Sequence, residues 1–439
     1  MDVGSSLGSE SRFAGYLAGL VRVIGHADRA KPMGDYCQGL LLPCERKSVE
    51  PLAAVTAPSR VAAQHQSLLH FVGEAPWSDE RVLAQVREQV LPTIERHEPI
   101  QAWIIDDTGF AKKGRHSVGV ARQYCGELGQ AGNCQVAVTL SIANHRASLP
   151  VGYRLYLPRE WAEDRARRKK AGVPEDVTFK TKTEIALDLV RAAAAAGIAR
   201  GVALMDGAYG CDTALRAGIA ALGMSYVVSI PSPTSVWPPG LEPLPPKPYV
   251  GHGRRPTRVR RDTTHKPVSV KSLAQSLPAE AWRTIRWREG SNDWLSSRFA
   301  RVRVRPAHED ERRHTPHPVE WLMIESPQGD REPTRYWLSN LPEDIAFDRM
   351  VDLAKLRWRI ERDYQELKQE IGLGHYEGRR WRGFHHHATL CIAAYGFLIS
   401  ERETIPPSGP RTAARRQAPV IPAYRRSGEP AAASGASRP

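Results

Sequence analysis

Residues 101–110 read QAWIIDDTGF and residues 201–210 read GVALMDGAYG. In each, a short apolar run ends on an aspartate: Ala102–Ile105 runs into Asp106-Asp107, and Gly201–Met205 into Asp206. Apolar, partly β-branched runs closed by turn-forming residues read as buried strands. His116–Tyr124, Cys134–Ala143 and Leu149–Leu157 read as three more strands, the last after the turn-like Asn144-His145-Arg146. Residues 182–197, KTEIALDLVRAAAAAG, are an Ala-rich helix stopped by Gly197. A second helix over 212–222 and a strand at Ser225–Ile230 follow.

This order is a meander of antiparallel strands followed by helix, strand, helix, strand. The first half suits hairpins and the second suits parallel crossovers. The expectation is an α/β fold: a mixed sheet with helices on its faces, in the ribonuclease-H-like strand order where the first and fourth strands are neighbours. Asp106 and Asp206 then sit near the same ends of adjacent strands, where open sheets bind ligands.

The rest of the chain arranges itself around that core, 101–232. Residues 1–100 read as a helical N-terminal domain; Val82, Leu83, Val86, Val90 and Ile94 recur at helical spacing behind Ser78-Asp79. Such a domain binds DNA or is a packing layer. Residues 233–341 read as a β-rich insertion. It carries a basic loop (Arg254, Arg255, Arg258, Arg260, Arg261) and strand-like runs at 298–305, 319–325 and 335–338. Helix returns over 342–402, and the Pro-, Ala-, Gly- and Arg-rich tail 403–439 reads as disordered.

Composition narrows the function. The chain has 439 residues, with 62 Lys plus Arg against 48 Asp plus Glu, a formal charge of +14. A surplus of this size favours a polyanionic partner, nucleic acid first, over an ordinary basic enzyme. There is no membrane-length apolar run and no basic-then-apolar leader pattern, so a cytoplasmic protein is expected. The six cysteines form no CxxC pair, which argues against a disulfide framework or a zinc finger.

The chemistry is read from three acids. Phosphodiester cleavage by two metal ions needs carboxylates converging on hard cations such as Mg2+. Asp106, Asp206 and Glu361 supply such a cage if strand ends and helix meet. On the helix around Glu361, Arg357, Glu361, Tyr364 and Lys368 fall on one face, so a carboxylate is flanked by cations suited to phosphate oxygens. The plainer account is turn-forming aspartates and an ordinary i,i+4 pair between Arg357 and Glu361. Asp107 competes with Asp106, which is preferred because it directly follows the apolar run. The three consecutive histidines 385–387 point about 100° apart on a helix and cannot chelate one ion together.

Several blocks in order resemble a known family. R-W-R-I-E at 357–361 with Lys368 resembles the R, E and K of the Y-R-E-K signature of bacterial insertion-sequence transposases. DDTGFAKKGRHSVGVARQYCG (106–126), DGAYG (206–210) and RWRGFHHHATL (380–390) resemble the DDE superfamily endonuclease branch of those enzymes. The resemblance implies a DNA transposase that cuts at the terminal inverted repeats of its element and joins the freed end to target DNA. Asp106, Asp206 and Glu361 match the catalytic, metal-holding triad for two Mg2+ ions, with Mn2+ as a substitute. Arg357 and Lys368 match the DNA-phosphate pair. The signature tyrosine is missing, Ala354 standing in its place, and Tyr364 is the expected substitute. Related cut-and-paste enzymes stack a flipped base on a tryptophan of the insertion; Trp337 is the best match and Trp321 the second. Lys112, Lys113, Arg254 and Arg255 are further expected DNA contacts. Family members work as dimers in synaptic complexes, so a homodimer on DNA is expected. A structure-specific nuclease of the same fold, a silent DNA-binding relic and a metal-dependent phosphatase remain as alternatives.

Overall fold

The computed structural model describes residues 8–288, 294–327, 329–330 and 332–405. Five helices come first: α1 (Ser9–Val21), α2 (Ala30–Leu41), α3 (Val49–Thr56), α4 (Val61–Gly73) and α5 (Asp79–Glu95). Four strands follow: β1 (Ala102–Ala111), β2 (Ala121–Cys125), β3 (Gln130–Ala143) and β4 (Ser148–Leu155). Next come α6 (Arg159–Ala162), α7 (Arg165–Ala171), α8 (Lys182–Ala195), β5 (Val202–Met205), α9 (Gly207–Gly210), α10 (Thr213–Ala221) and β6 (Tyr226–Ile230). The following segment holds β7 (Ser235–Trp237), β8 (Val268–Ser269), α11 (Val270–Ser276), β9 (Trp282–Arg288), β10 (Trp294–Pro306), β11 (Glu320–Ser326) and β12 (Arg335–Ser339). Three helices close the body: α12 (Phe347–Lys355), α13 (Trp358–Gln369) and α14 (Trp381–Thr404).

Once the short β2 is set aside the core sheet has the expected order, with β5 as the fourth strand beside β1. β1 lies between β3, antiparallel, and β5, parallel; β6 is parallel to β5, and β4 and β2 both pair with β3. Helices pack on this mixed sheet, so the fold is α/β and ribonuclease-H-like. Ala102–Ile105 are fully buried, as the inner strand of a sheet covered on both faces must be. α8 begins at a full capping box, Thr181 with Glu184, which fixes its start one residue before Lys182.

Three features depart from the sequence reading. The stretch 116–124 is strand only from Ala121; before that the chain is a loop whose Val118 amide donates to the Arg379 carbonyl at 3.0 Å. The segment 233–341 does not stand apart from the core: β12 pairs antiparallel with β6, and β11, β10 and β7 extend the same sheet outward. The helices of residues 8–100 do not form a separate body either. They wrap α14, the most buried helix, and residues 8–404 make one compact unit. Residues 406–439 of the expected tail lie outside the described residues.

The three histidines of α14 point to three different neighbours, as helical geometry requires. His386 stacks on Trp77 with ring centroids 3.6 Å apart, His387 meets the Tyr36 hydroxyl at 2.9 Å, and His385 packs on Trp381 and Tyr153. They fasten the N-terminal helices and β4 to the last helix. All six cysteines are free, and among the described residues no helix is long and apolar enough to cross a membrane.

Candidate active site

The register of the central strands brings the first two acids together. Ile105 pairs with Met205 in the parallel β1–β5 ladder, so Asp106 and Asp206 follow side by side on strands about 4.8 Å apart. Asp206 ends its strand by capping α9: its Oδ1 accepts from the Ala208 and Tyr209 amides at 3.0 and 3.2 Å. Gly210 closes that short helix against β6, where a Cβ would collide with the Ser229 carbonyl. The D-G-A-Y-G sequence therefore fixes the aspartate by its own backbone amides.

Glu361 arrives from the opposite side, in the first turn of α13. Arg357 immediately precedes that helix and joins the two sides. Its guanidinium lies 3.3 Å from Asp106 Oδ2 and 2.8 Å from Glu361 Oε1. One planar fork thus grips carboxylates from β1 and from α13. The Arg357 Nε is buried and has no hydrogen-bond partner.

Burial dominates the electrostatics of Asp106. It pushes the carboxyl up to about 7; Arg357 pulls it down, and the charges of Asp206 and Asp107 push it up again. The Asp107 amide donates to its Oδ1 at 2.8 Å. Asp107 itself points elsewhere, paired with Lys182 at 2.8 Å and accepting from the Tyr209 hydroxyl at 3.3 Å.

Among the described residues no group of three or more acid, His or Cys side chains is already close enough to enclose a metal ion, and Arg357 lies between two of the acids. The donor chemistry nonetheless fits a hard divalent cation. Two strand-end carboxylates repel one another in a largely buried setting, and a third carboxylate, two-thirds exposed on the facing helix, is joined to the first through Arg357.

The other expected residues divide. Lys368 lies on α13 beside the site; its ammonium donates to the Gly109 carbonyl, pairs with Glu127 at 3.1 Å and sits 5.1 Å from the Phe110 ring centre. Lys113, Arg254 and Arg255 are exposed, whereas Lys112 is half-buried and donates to the Tyr376 carbonyl at 2.9 Å. Tyr364 and the two tryptophans lie inside the fold. Tyr364 is buried, its hydroxyl turned to Thr139 on β3, so it packs the helix on the sheet. Trp337 is buried in β12 between β11 and β6, and Trp321 is buried with its Nε1 donating to Pro342 at 3.1 Å. Both rings are buried in strands that continue the core sheet.

Sequence reading missed Lys182, Tyr209 and Asp363. Lys182 and Tyr209 hold Asp107 off the site, and Tyr209 lies inside the motif that carries Asp206. Asp363, on the buried face of α13, accepts from Ser148 at 2.7 Å and Tyr395 at 2.9 Å. A carboxylate two residues from Glu361 carried no pattern that distinguished it from a solvated one.

Residues 19–293 match the family described as DDE superfamily endonuclease. The chain belongs to this family, whose endonucleases are metal-dependent. Asp106 and Asp206 lie inside the matched stretch and Glu361 beyond it. Over 195 residues the chain is also 30% identical to a protein from Microchaete diplosiphon described as a probable transposase for insertion sequence element IS701. That alignment covers 44% of this chain and 47% of the relative, about half of each.

Proposed function

We propose that the chain is the DNA transposase of an insertion sequence. It cleaves at the terminal inverted repeats of its element and joins the freed 3′ hydroxyl to target DNA. The observation that carries this reading is the single guanidinium of Arg357 bridging Asp106 and Glu361, with Asp206 on the adjacent strand. The likeness to a probable insertion-sequence transposase over half the chain supports it.

Asp106, Asp206 and Glu361 would hold Mg2+, with Mn2+ as a substitute. Bound there, such ions lower the pKa of water and stabilise charge on the phosphate oxygens. Arg357 would exchange its carboxylate partners for a phosphate, a planar fork meeting a matching pair of oxygens. Lys368, one carbonyl away from β1, would hold a neighbouring phosphate. Lys113, Arg254 and Arg255 are exposed cations that add non-specific grip on the backbone. Work on two element ends calls for two copies, so a homodimer on paired ends is the active form.

The test is direct. Asp206→Ala should abolish cleavage of DNA carrying the element end while leaving binding of that DNA within about two-fold, since one carboxylate contributes nothing to phosphate attraction. Chelation by EDTA should reproduce the loss in the parent protein. Cleavage by the variant at the parental rate would overturn the assignment, and cleavage without joining to target DNA would reduce the reading to a nuclease.

A further inference from the structure

The family signature does not account for a second concentration of positive charge. α7 has the sequence RARRKKA, five cations in seven residues, and it faces the loop after β1 and the segment before α14. Together they form a groove of about 230 Å3 lined by Arg115, His116, Arg167, Lys170, Arg379 and Arg380, with no carboxylate in its lining. Arg115, Arg165, Lys169, Lys170, Arg379 and Arg382 are all exposed.

The groove is built, not incidental. Its floor is Trp161, whose Nε1 donates to the Val120 carbonyl at 2.8 Å and whose ring carries the Arg167 guanidinium at 3.8 Å. The Val118–Arg379 backbone hydrogen bond, at 3.0 Å, ties two of its walls, and Lys112 ties the same loop to Tyr376. Arg168 is spent on the carbonyls of Ala162 and Pro174, and Arg380 pairs with Glu74 outside the groove. The side chains of Arg115, Lys170 and Arg379, all in the lining, have no hydrogen bond or ion pair among the described residues.

Cations in the last turn of a helix offset its dipole, which accounts for Lys169 and Lys170 on their own. It does not account for Arg115 and Arg379 held opposite them. Like charges fixed across a narrow cleft raise the energy of the free protein, and a polyanion lying between them removes that cost.

We infer that this groove, formed by α7, the 112–116 loop and residues 379–382, is a phosphate track for the duplex DNA bound at the acid site. The inference takes its partner from the proposed DNA-cutting function, but its test does not depend on cutting.

Arg115→Gln, Lys170→Gln and Arg379→Gln, three exposed cations of the groove lining, are combined in the full chain. Binding to a 30-base-pair duplex of arbitrary sequence is measured in EDTA across a range of salt. Each lost phosphate contact lowers the slope of log affinity against log salt by about 0.9, so the triple variant should lose two to three units of slope. A control triple, Arg60→Gln, Arg96→Gln and Lys247→Gln, removes the same charge from exposed positions elsewhere and should keep the parental slope. Equal slopes for the parent and the groove variant, or equal losses in both triples, would overturn the track. A parent that binds with the predicted difference but never cleaves would sink the transposase reading and leave the track standing.

Discussion

Lys355 is buried at the end of α12, two residues before Arg357. Its ammonium donates to both oxygens of Glu325 on β11, at 2.7 and 2.9 Å, with side-chain exposures of 7% and 2% for lysine and glutamate. Three rings surround the charge: Trp287 at 4.3 Å, and Phe299 and Trp337 at 5.5 Å. Replacing Lys355 by Met keeps the volume and strands Glu325 in that cage. Removing one partner of a buried pair costs about 3–5 kcal/mol. Here the lower end applies, because Arg335 already lies 3.7 Å from Glu325 and offers partial compensation from the surface. A loss of about 3 kcal/mol is a large share of the roughly 5–15 kcal/mol that holds a folded domain. Urea unfolding followed by circular dichroism reads it. The decisive comparison is the double variant Lys355→Met with Glu325→Met, which removes both charges and should recover most of the loss. A single variant within about 0.5 kcal/mol of the parent, or a double variant as unstable as the single, would refute the reasoning.

Two further outcomes follow from the site and from the last helix. Arg357→Lys replaces a fork that spans two carboxylates by a point charge that holds one; losing one charge-assisted bond should slow cleavage about ten- to a hundred-fold with DNA binding retained, and an unchanged rate in single-turnover assays would refute the bridge. His386 and His387 are held neutral by burial, each pushed down to about 4 from an ordinary 6.5. The unfolded chain therefore takes up protons between about pH 6.5 and 4 that the folded chain refuses, so stability is full above that window and falls through it. The slope approaches 1.4 kcal/mol per pH unit for each histidine. His387→Gln should flatten it, and a urea midpoint that stays fixed down to about pH 5 would contradict the assignment.

The acids on β1 and β5 were legible because strands buried on both faces leave unbroken apolar runs, and the residue ending such a run is conspicuous. The environment of Trp337 was not legible in the same way. An alternating Trp is as readily core as contact, and here β12 is an inner strand, paired with β6 as well as β11, and buried from Tyr336 on. That long-range pairing leaves no local trace. The 116–120 loop is similar: its shape depends on an amide reaching Arg379, more than two hundred residues away.

The break between α12 and α13 is the most consequential feature hidden from the sequence. Residues 347–369 contain no Gly or Pro, and spacing alone predicts one continuous helix, yet helical assignment stops at Lys355 and resumes at Trp358. Tertiary contacts bracket it. Lys355 is tethered inside the insertion's aromatic cage on one side, while Asp363 is tethered by Ser148 and Tyr395 on the other. Between these anchors the chain turns at Leu356-Arg357, whose backbone stays right-handed helical. Arg357 stands at the head of α13, where its guanidinium reaches both Asp106 and Glu361. The buried pair of Lys355 with Glu325 ties the insertion to the residue two positions before the arginine that joins the acids.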